Sequence, residues 1–505
     1  MKRSAGLTFL LGTLLAACIV RLWLLPLPSS FWVDEMVTAF VVHYGPAHAS
    51  LAVAPQVTES IYYWLPRMAE RLLGFSEVAY RLPSTLLMAG AMWAVYRVAA
   101  RLIHAEAGWF AVFACLTLKI VNYEAADARP YALGTCAAAA GVWFLVRWLD
   151  EARWVDGLLF AVCAAVLWRV HLIYWPFYLV FAAYTVVRLV SRETEVTWRR
   201  AAVIYAAIGA ALIPVALNAL ALLSQAKAHV FVDHAPSFLE LNRTFKWGLV
   251  AGCGGGAFVL SRLLKWPRTA AAFGGATLTL VFGWWLMQPI ALFAFSWFTG
   301  DSVFVNRYLS LAMPGAAMAA TLAVGYFLPP RFWKISSAVF GAGVFLFMGN
   351  LRELTPRHHN SDWRAAAASI RRLGWASSTP VVYPSPFIEA QSPVWQPDYA
   401  LPGFLYCHLL VYPAPGTPYL LPFRTSPEAE RYAASISAGP LASAGRFIIY
   451  GGDVNVRLWR DWFANQAEFK TWTERRLGSY GDVDVAVFED PARGQLVRDA
   501  PRNSQ

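Results

Sequence analysis

Two adjacent carboxylates, Asp34 and Glu35, sit in Phe31-Trp-Val-Asp-Glu-Met36, just after the first apolar segment of the chain. A carboxylate at that depth is costly and is tolerated where it faces a polar cavity rather than lipid. Further on, Arg129 follows Asp127 and precedes Pro130, His171 stands between two apolar runs, and Arg307-Tyr308 opens another. Together these types suit chemistry at a membrane surface. A carboxylate can take a proton from an attacking hydroxyl, and a planar guanidinium fork suits phosphate oxygens. Each has a plainer reading. Asp34 and Glu35 could lie in a solvated loop, Arg129 could pair with Asp127 or Glu124, and Arg307 could snorkel to headgroups. Adjacent side chains share no face in helix or strand, so Glu35 is expected to support Asp34 rather than duplicate it.

The elements that must position these groups are apolar. Of 505 residues, 58% are hydrophobic and only 14% charged, against about 25% charged in a soluble domain. Many of the 23 Trp and 21 Tyr lie at the ends of apolar runs, where amphipathic rings favour the headgroup level. The net charge of +11 is spread in small groups between those runs, which excludes a nucleic-acid partner. Six cysteines without a Cys-x-x-Cys support neither a disulfide framework nor a thiolate metal site.

A helix crossing the hydrocarbon core needs about 20 residues. The run from Met1 to Leu25 and segments 82–101, 104–121, 131–149, 155–170, 172–190, 201–223, 247–264, 269–290, 307–328 and 335–350 give about eleven spans on that criterion. Basic residues gather at alternate junctions, from Lys2 and Arg3 through Arg97 and Arg101 to Arg331 and Lys334. That alternation marks a cytoplasmic side, with the N-terminus on it. It places Asp34, Arg129, His171, His229 and Arg307 on the opposite, external face. Within the long first external loop, 26–81, Ile61 to Leu73 reads as an amphipathic helix suited to the interface plane. His43, His48, His171, His229 and His234 are external on this topology, and with carboxylates they could supply ligands for a divalent metal. No pair has helix-ligand spacing beside an acid, so no metal site is assigned.

The pattern changes near Leu351. Residues 351–505 contain no membrane-length run and are expected to form an extracytoplasmic α/β domain, against a membrane domain over 1–350. Ser361-Asp-Trp-Arg opens a helix with Ser361 or Asp362 as its cap. Val381–Tyr383, Arg446–Tyr450 and Val483–Phe488 read as strands. His358-His359 is expected to be solvated in the linker. Only the last dozen residues look disordered.

Phe31-Trp-Val-Asp-Glu35, Gly74-Phe-Ser-Glu-Val-Ala-Tyr-Arg-Leu-Pro-Ser84, Asp127-Ala-Arg-Pro-Tyr-Ala-Leu133, Val303-Phe-Val-Asn-Arg-Tyr-Leu-Ser310 and Ser361-Asp-Trp-Arg-Ala-Ala-Ala367 occur in that order. Together they resemble the polytopic family-39-type enzymes of the glycosyltransferase C superfamily. These include bacterial relatives of protein mannosyltransferases and the aminoarabinose transferases acting on lipid A. The resemblance implies an inner-membrane enzyme that moves a sugar from a polyprenyl-phosphate carrier to a glycan, lipid or protein acceptor on the extracytoplasmic face. It makes Asp34 the catalytic carboxylate. It matches Glu59 to a charged position late in the first loop, although Glu59-Ser-Ile61 stands where relatives carry His-Pro-Pro or Glu-Lys-Pro. It matches Asp127 and Arg129 to an acidic-x-Arg-Pro-Tyr element and His171 to a polar position before the sixth span, and with them Glu35, Tyr131, Arg307 and Tyr308 are expected to bind substrate. The competing class is a non-catalytic transporter or lipid-binding assembly factor. Transporters commonly show repeats and broken helices at the midplane, whereas the informative charges here cluster at one face.

Overall fold

Apolar runs bounded by Pro, Gly and Arg fold here as helices, and β-branched runs near the C-terminus fold as strands. The computed structural model describes residues 2–45, 60–223, 235–266, 273–300, 302–349, 353, 356–391, 395, 397 and 403–492. Glu59, His48, His229 and His234 lie outside the described residues. The chain divides into two units, Met1–Leu27 with Glu59–Pro356, and Pro28–Thr58 with Arg357–Gln505.

The first unit is helical. Among the described residues, six helices are long and apolar enough to cross a membrane: Ala5–Leu24, Tyr131–Glu151, Leu172–Val190, Trp198–Leu220, Gly275–Thr299 and Asn306–Gly325. Helices Glu77–Leu102, Trp154–Val170, Trp247–Leu263 and Trp333–Phe347 occupy four further apolar segments. The expected segment 104–121 is divided between Ala107–Leu116 and the short helix Lys119–Ala125. Val203, Ile213, Leu217 and Leu220 are exposed along Trp198–Leu223, a contiguous apolar face suited to lipid. Close packing relies on small residues: a Cβ on Gly315 would lie 2.4 Å from the Trp285 backbone nitrogen, so only glycine lets these two helices approach so nearly.

Several arginines of the alternate junctions are held by acids. Arg101 pairs with Asp150 at 2.6 Å and Glu151 at 3.0 Å, Arg188 pairs with Asp150 at 2.6 Å, and Arg147 pairs with Asp156 at 3.3 Å. Topology follows Lys and Arg rather than net charge, so these pairs do not weaken the sidedness argument.

The second unit contains a five-stranded sheet of order β2-β1-β3-β5-β4, with β1 Pro380–Pro384, β2 Thr417–Leu421, β3 Arg446–Gly452, β4 Thr473–Arg476 and β5 Val483–Glu489. β1 runs parallel to β2 and β3, while β5 runs antiparallel to β3 and β4. Phe447 and Phe488 are paired across β3 and β5 and stack at 4.7 Å. Asp362, not Ser361, caps helix Trp363–Arg372, accepting from the Ala365 N–H at 3.0 Å.

Cys407 and His408 are fully buried. The His408 ring lies among Trp363, Tyr383, Tyr406 and Tyr450, with centroids 5.1–6.3 Å away. Neither ring nitrogen has a hydrogen-bond partner, and burial pushes its pKa down to about 3. An unfolded histidine titrates at about 6.5, so this site's contribution is complete above that pH and declines as pH falls toward 3. Acidification from pH 7 to 5 should therefore cost about 2 kcal/mol through this residue. In His408→Leu that increment of acid sensitivity should vanish from thermal unfolding curves. An unchanged acid sensitivity would refute the assignment.

Candidate active site

In the second unit, the segment leading to Asp34 is tied down at successive residues. The His358 N–H donates to Ser29 Oγ at 3.0 Å, the Arg364 N–H to Ser30 Oγ at 3.3 Å, and the Arg364 guanidinium to the Pro28 carbonyl at 3.0 Å. The Phe31 N–H donates to Tyr412 Oη at 2.7 Å. Trp32 stacks on His359 with centroids 5.1 Å apart and planes 5° apart. Solvation of His358-His359, expected from the sequence, is corrected: the stack on Trp32 and the bond to Ser29 hold the pair half-buried.

Helix Val33–Tyr44 begins immediately after, and its first turn separates the two acids. Glu35 is fully buried and its Oε2 accepts from the Trp32 N–H at 3.2 Å, so it caps the helix. Asp34 keeps exposed surface. A carboxylate in a helix's first turn is favoured by the helix dipole. His359 Nδ1 lies 3.0 Å from Ser361 Oγ and 3.5 Å from Asp482. Burial is the main influence on its pKa and lowers it, while Asp482, Glu35 and Asp34 pull the other way.

In the first unit, a different set converges. Helix Lys119–Ala125 is stapled by Asn122, whose Oδ1 accepts from Trp23 Nε1 at 3.0 Å and whose Nδ2 donates to the Leu116 carbonyl at 2.7 Å. Thr85 Oγ1 donates to the Ala125 carbonyl at 2.7 Å. Glu124 and Asp127, both buried, are presented from this fixed turn. Arg129 follows in the loop before Pro130, which disfavours helix for the residue ahead of it, and Tyr131 starts the next helix.

His171 closes helix Trp154–Val170, and its Nδ1 accepts from the Ile173 N–H at 3.4 Å, so the proton belongs on Nε2. Its ring lies 5.1 Å from Tyr308 and 6.3 Å from Tyr131, and Tyr131 lies 6.3 Å from Tyr308. Gln288 Nε2 donates to the Tyr308 carbonyl at 2.7 Å. Burial first, then the Arg129 and Arg307 guanidinium groups, push the His171 pKa down to about 3. It is neutral near pH 7, flanked by two fixed cations. That arrangement can bind an anion and offer it an N–H.

Of the sequence-predicted residues, Asp127, Arg129, Tyr131, His171, Arg307 and Tyr308 thus gather in one unit, and Asp34 and Glu35 lie in the other. The sequence reading undervalued Glu124, treating it only as a partner for Arg129. Its signal was an acid at the end of an apolar run. It also passed over Tyr62, Ser84, Tyr174, Ser310 and Tyr412, ordinary residues that only long-range contacts single out.

Residues 60–220 match the sequence family described as dolichyl-phosphate-mannose-protein mannosyltransferase. No curated protein matches by sequence. Among solved structures, ArnT from Cupriavidus metallidurans bound to undecaprenyl phosphate is 12% identical with a TM-score of 0.57, covering 96% of this chain and 98% of that one. The same protein in the apo state gives 12%, 0.58, 96% and 98%. The archaeal oligosaccharyltransferase AglB from Archaeoglobus fulgidus, in complex with an inhibitory peptide and a dolichol-phosphate, gives 11% identity and a TM-score of 0.47, with 99% of this chain and 75% of that one covered. The resemblance read from the sequence, to polytopic glycosyltransferase C enzymes of the mannosyltransferase and aminoarabinose-transferase kind, therefore holds both in the family match over residues 60–220 and in a membrane-protein fold shared along nearly the whole chain.

Proposed function

We propose that the protein is a bacterial inner-membrane glycosyltransferase that takes a sugar from a polyprenyl-phosphate donor and passes it to an acceptor hydroxyl on the extracytoplasmic face. The observation that carries this reading is the group formed by Arg129, neutral His171 and Arg307 against the Tyr131 and Tyr308 rings. It sets two guanidinium groups and an imidazole N–H beside aromatic rings at helix ends, a combination suited to a phosphate on a lipid tail. The ArnT structure of the same fold has undecaprenyl phosphate bound, which supports a donor of that class.

In the reaction, the bond from the anomeric carbon to phosphate oxygen breaks and a bond from that carbon to the acceptor oxygen forms. The acceptor proton passes to Asp34, and polyprenyl phosphate leaves with the electron pair. Arg129, Arg307 and the Nε2–H of His171 stabilise the departing anion. Tyr131 and Tyr308 wall the site against water, while Asp127 and Glu35 support the loops that carry these groups. Glu59 is assigned to the donor or acceptor on position alone. The step balances without a metal. In this reading the chain crosses the membrane about eleven times, with the N-terminus in the cytoplasm and the C-terminal unit outside, and the acceptor is a glycolipid, a polysaccharide or a protein hydroxyl.

Purified protein in liposomes, given a panel of undecaprenyl-phosphate hexoses and pentoses with envelope lipids as acceptors, should release undecaprenyl phosphate and form a glycosylated product. Binding of the lipid phosphate without turnover of any donor would instead favour a non-catalytic lipid-binding role.

A further inference from the structure

Helix Trp64–Leu73 packs on helix Glu77–Leu102, with its Pro66 and Ala69 buried. Its other side faces outward. Trp64, Met68 and Leu72, spaced four residues apart on one face, are all exposed, Trp64 by 65% and Leu72 by 76%. Every residue from Arg71 to Phe75 is exposed as well, including the apolar Leu72, Leu73 and Phe75. Gly74, at φ +78, turns the chain there into the next helix, a conformation that suits glycine. So large an apolar surface left outside marks a contact with lipid or with another molecule. Its charge is one-sided. Glu70, the helix's one acid, accepts from Tyr80 Oη, whereas Arg67 and Arg71 lie three residues on from Trp64 and Met68, along the edge of the same face.

Helix Glu77–Leu102 shows at what depth this face lies. Its exposed stripe is Val78, Leu86, Ala89 and Trp93, and it ends in Arg97 and Arg101. The Arg97 guanidinium lies over the Trp93 and Trp143 rings, 5.6 and 4.7 Å from their centroids, a basic and aromatic grouping that suits a headgroup level. From Arg97 back to Glu77 the helix rises about 30 Å, the thickness of a hydrocarbon core. Leu72, Leu73 and Phe75 therefore come at the opposite headgroup level, where their apolar surface continues that of Val78. The start of the amphipathic helix is fixed on the same side. Ser60 Oγ donates to the carbonyl of Val170, the residue before His171, at 3.0 Å and accepts from the Tyr62 N–H at 3.3 Å.

We propose that helix Trp64–Leu73 and the tip that follows it form a docking face for anionic phospholipid at the bilayer surface. Trp64, Met68, Leu72 and Phe75 enter the boundary between headgroups and acyl chains, and Arg67 and Arg71 pair with lipid phosphates. Two features favour lipid over a protein partner. The apolar face runs into the stripe of a helix long enough to cross the membrane, and its basic edge stands where phosphates lie. The attachment of such a helix grows with the apolar area it buries and with its attraction to anionic lipid.

The test needs no sugar donor, so its outcome is separate from that of the proposed reaction. Full-length protein is placed in nanodiscs of phosphatidylcholine, alone or with about one-third phosphatidylglycerol, and amide hydrogen exchange is followed over residues 61–75. In wild type, exchange there should be severalfold slower with phosphatidylglycerol present. The double variant Arg67→Gln/Arg71→Gln should lose that difference. Met68→Ser/Leu72→Ser should exchange faster than wild type in both compositions. Strands β1 and β3 should exchange alike in every sample, which shows that the variants are folded. Exchange in wild type that ignores lipid composition, or a difference that survives in the arginine variant, would refute the headgroup contact. A serine variant that exchanges like wild type would refute the apolar contact. Protection seen only in discs holding two copies would assign the face to a second copy of the chain and overturn the proposal.

Discussion

Replacing Asp34 with Asn should lower the rate of sugar transfer by about 100- to 10,000-fold, the range for a lost general base, with little change in donor KM. The physical reason lies in the two acids of helix Val33–Tyr44. Glu35 is buried and spends an oxygen on the Trp32 N–H, whereas Asp34 retains exposed surface in the same first turn. Asn keeps the shape of Asp and suits a helix N-terminal turn, so the Asp34→Asn protein should fold and bind lipid normally. Glu35→Gln provides the contrast: it disturbs a helix start, at a cost of about 1 kcal/mol, and should lower melting temperature more than turnover. Kinetics on both variants decide the matter. Full turnover in Asp34→Asn, with transfer lost in a well-folded Glu35→Gln, would reverse the roles given to these residues.

The second large effect is expected at Arg129. Removing one charged partner of a desolvated ion pair costs about 2–5 kcal/mol, so Arg129→Ala should raise the donor dissociation constant by roughly a hundredfold or more. Arg129→Lys should recover only part of the loss, since an ammonium cannot present the planar two-point fork. The variant also has a signature that a purely structural arginine would lack. The Arg129 charge is one of the influences holding His171 neutral, so its removal should move the His171 pKa upward, detectable as a shift in the acid limb of the binding profile. Unchanged donor affinity in Arg129→Ala would show that the guanidinium only ties down its loop.

Acid sensitivity should be visible in function as well as in stability. His171 and His408 are both held neutral mainly by burial, and unfolded chains protonate these residues near pH 6.5. Both therefore favour the folded state most above that pH, and both contributions decline on acidification. His408 is not among the groups assigned to donor binding, so His408→Leu should change melting behaviour without altering donor KM.

Much of the architecture was legible in the chain itself. Apolar runs of about twenty residues fix where helices form, because a backbone in lipid must satisfy its own hydrogen bonds. Each segment expected to span carries helix, although the stretch 104–121 is broken before Lys119. β1, β3 and β5 were readable because central, doubly buried strands are continuous runs of Val, Ile and Phe. The two strands that escaped, β2 and β4, are the edges of the sheet. β2 contains Pro418 and β4 is Thr-Glu-Arg-Arg, as expected where one side of a strand is unpaired and charge discourages aggregation.

Of the residues proposed to act in the reaction, only some could be singled out from the sequence. The types and order of Asp34, Asp127, Arg129, His171 and Arg307 could be read directly, because charge at the end of an apolar run is costly and therefore informative. Two things required the folded chain. One is the division of labour between Asp34 and Glu35, set by which carboxylate the helix start uses. The other is the gathering of Tyr62, Ser84, Glu124, Tyr174 and Ser310. No local pattern distinguishes these tyrosines and serines from others of their kind, since their neighbours lie up to some two hundred and fifty positions away. Periodicity records what each segment must bury, and only tertiary packing determines which polar atoms are left facing one another.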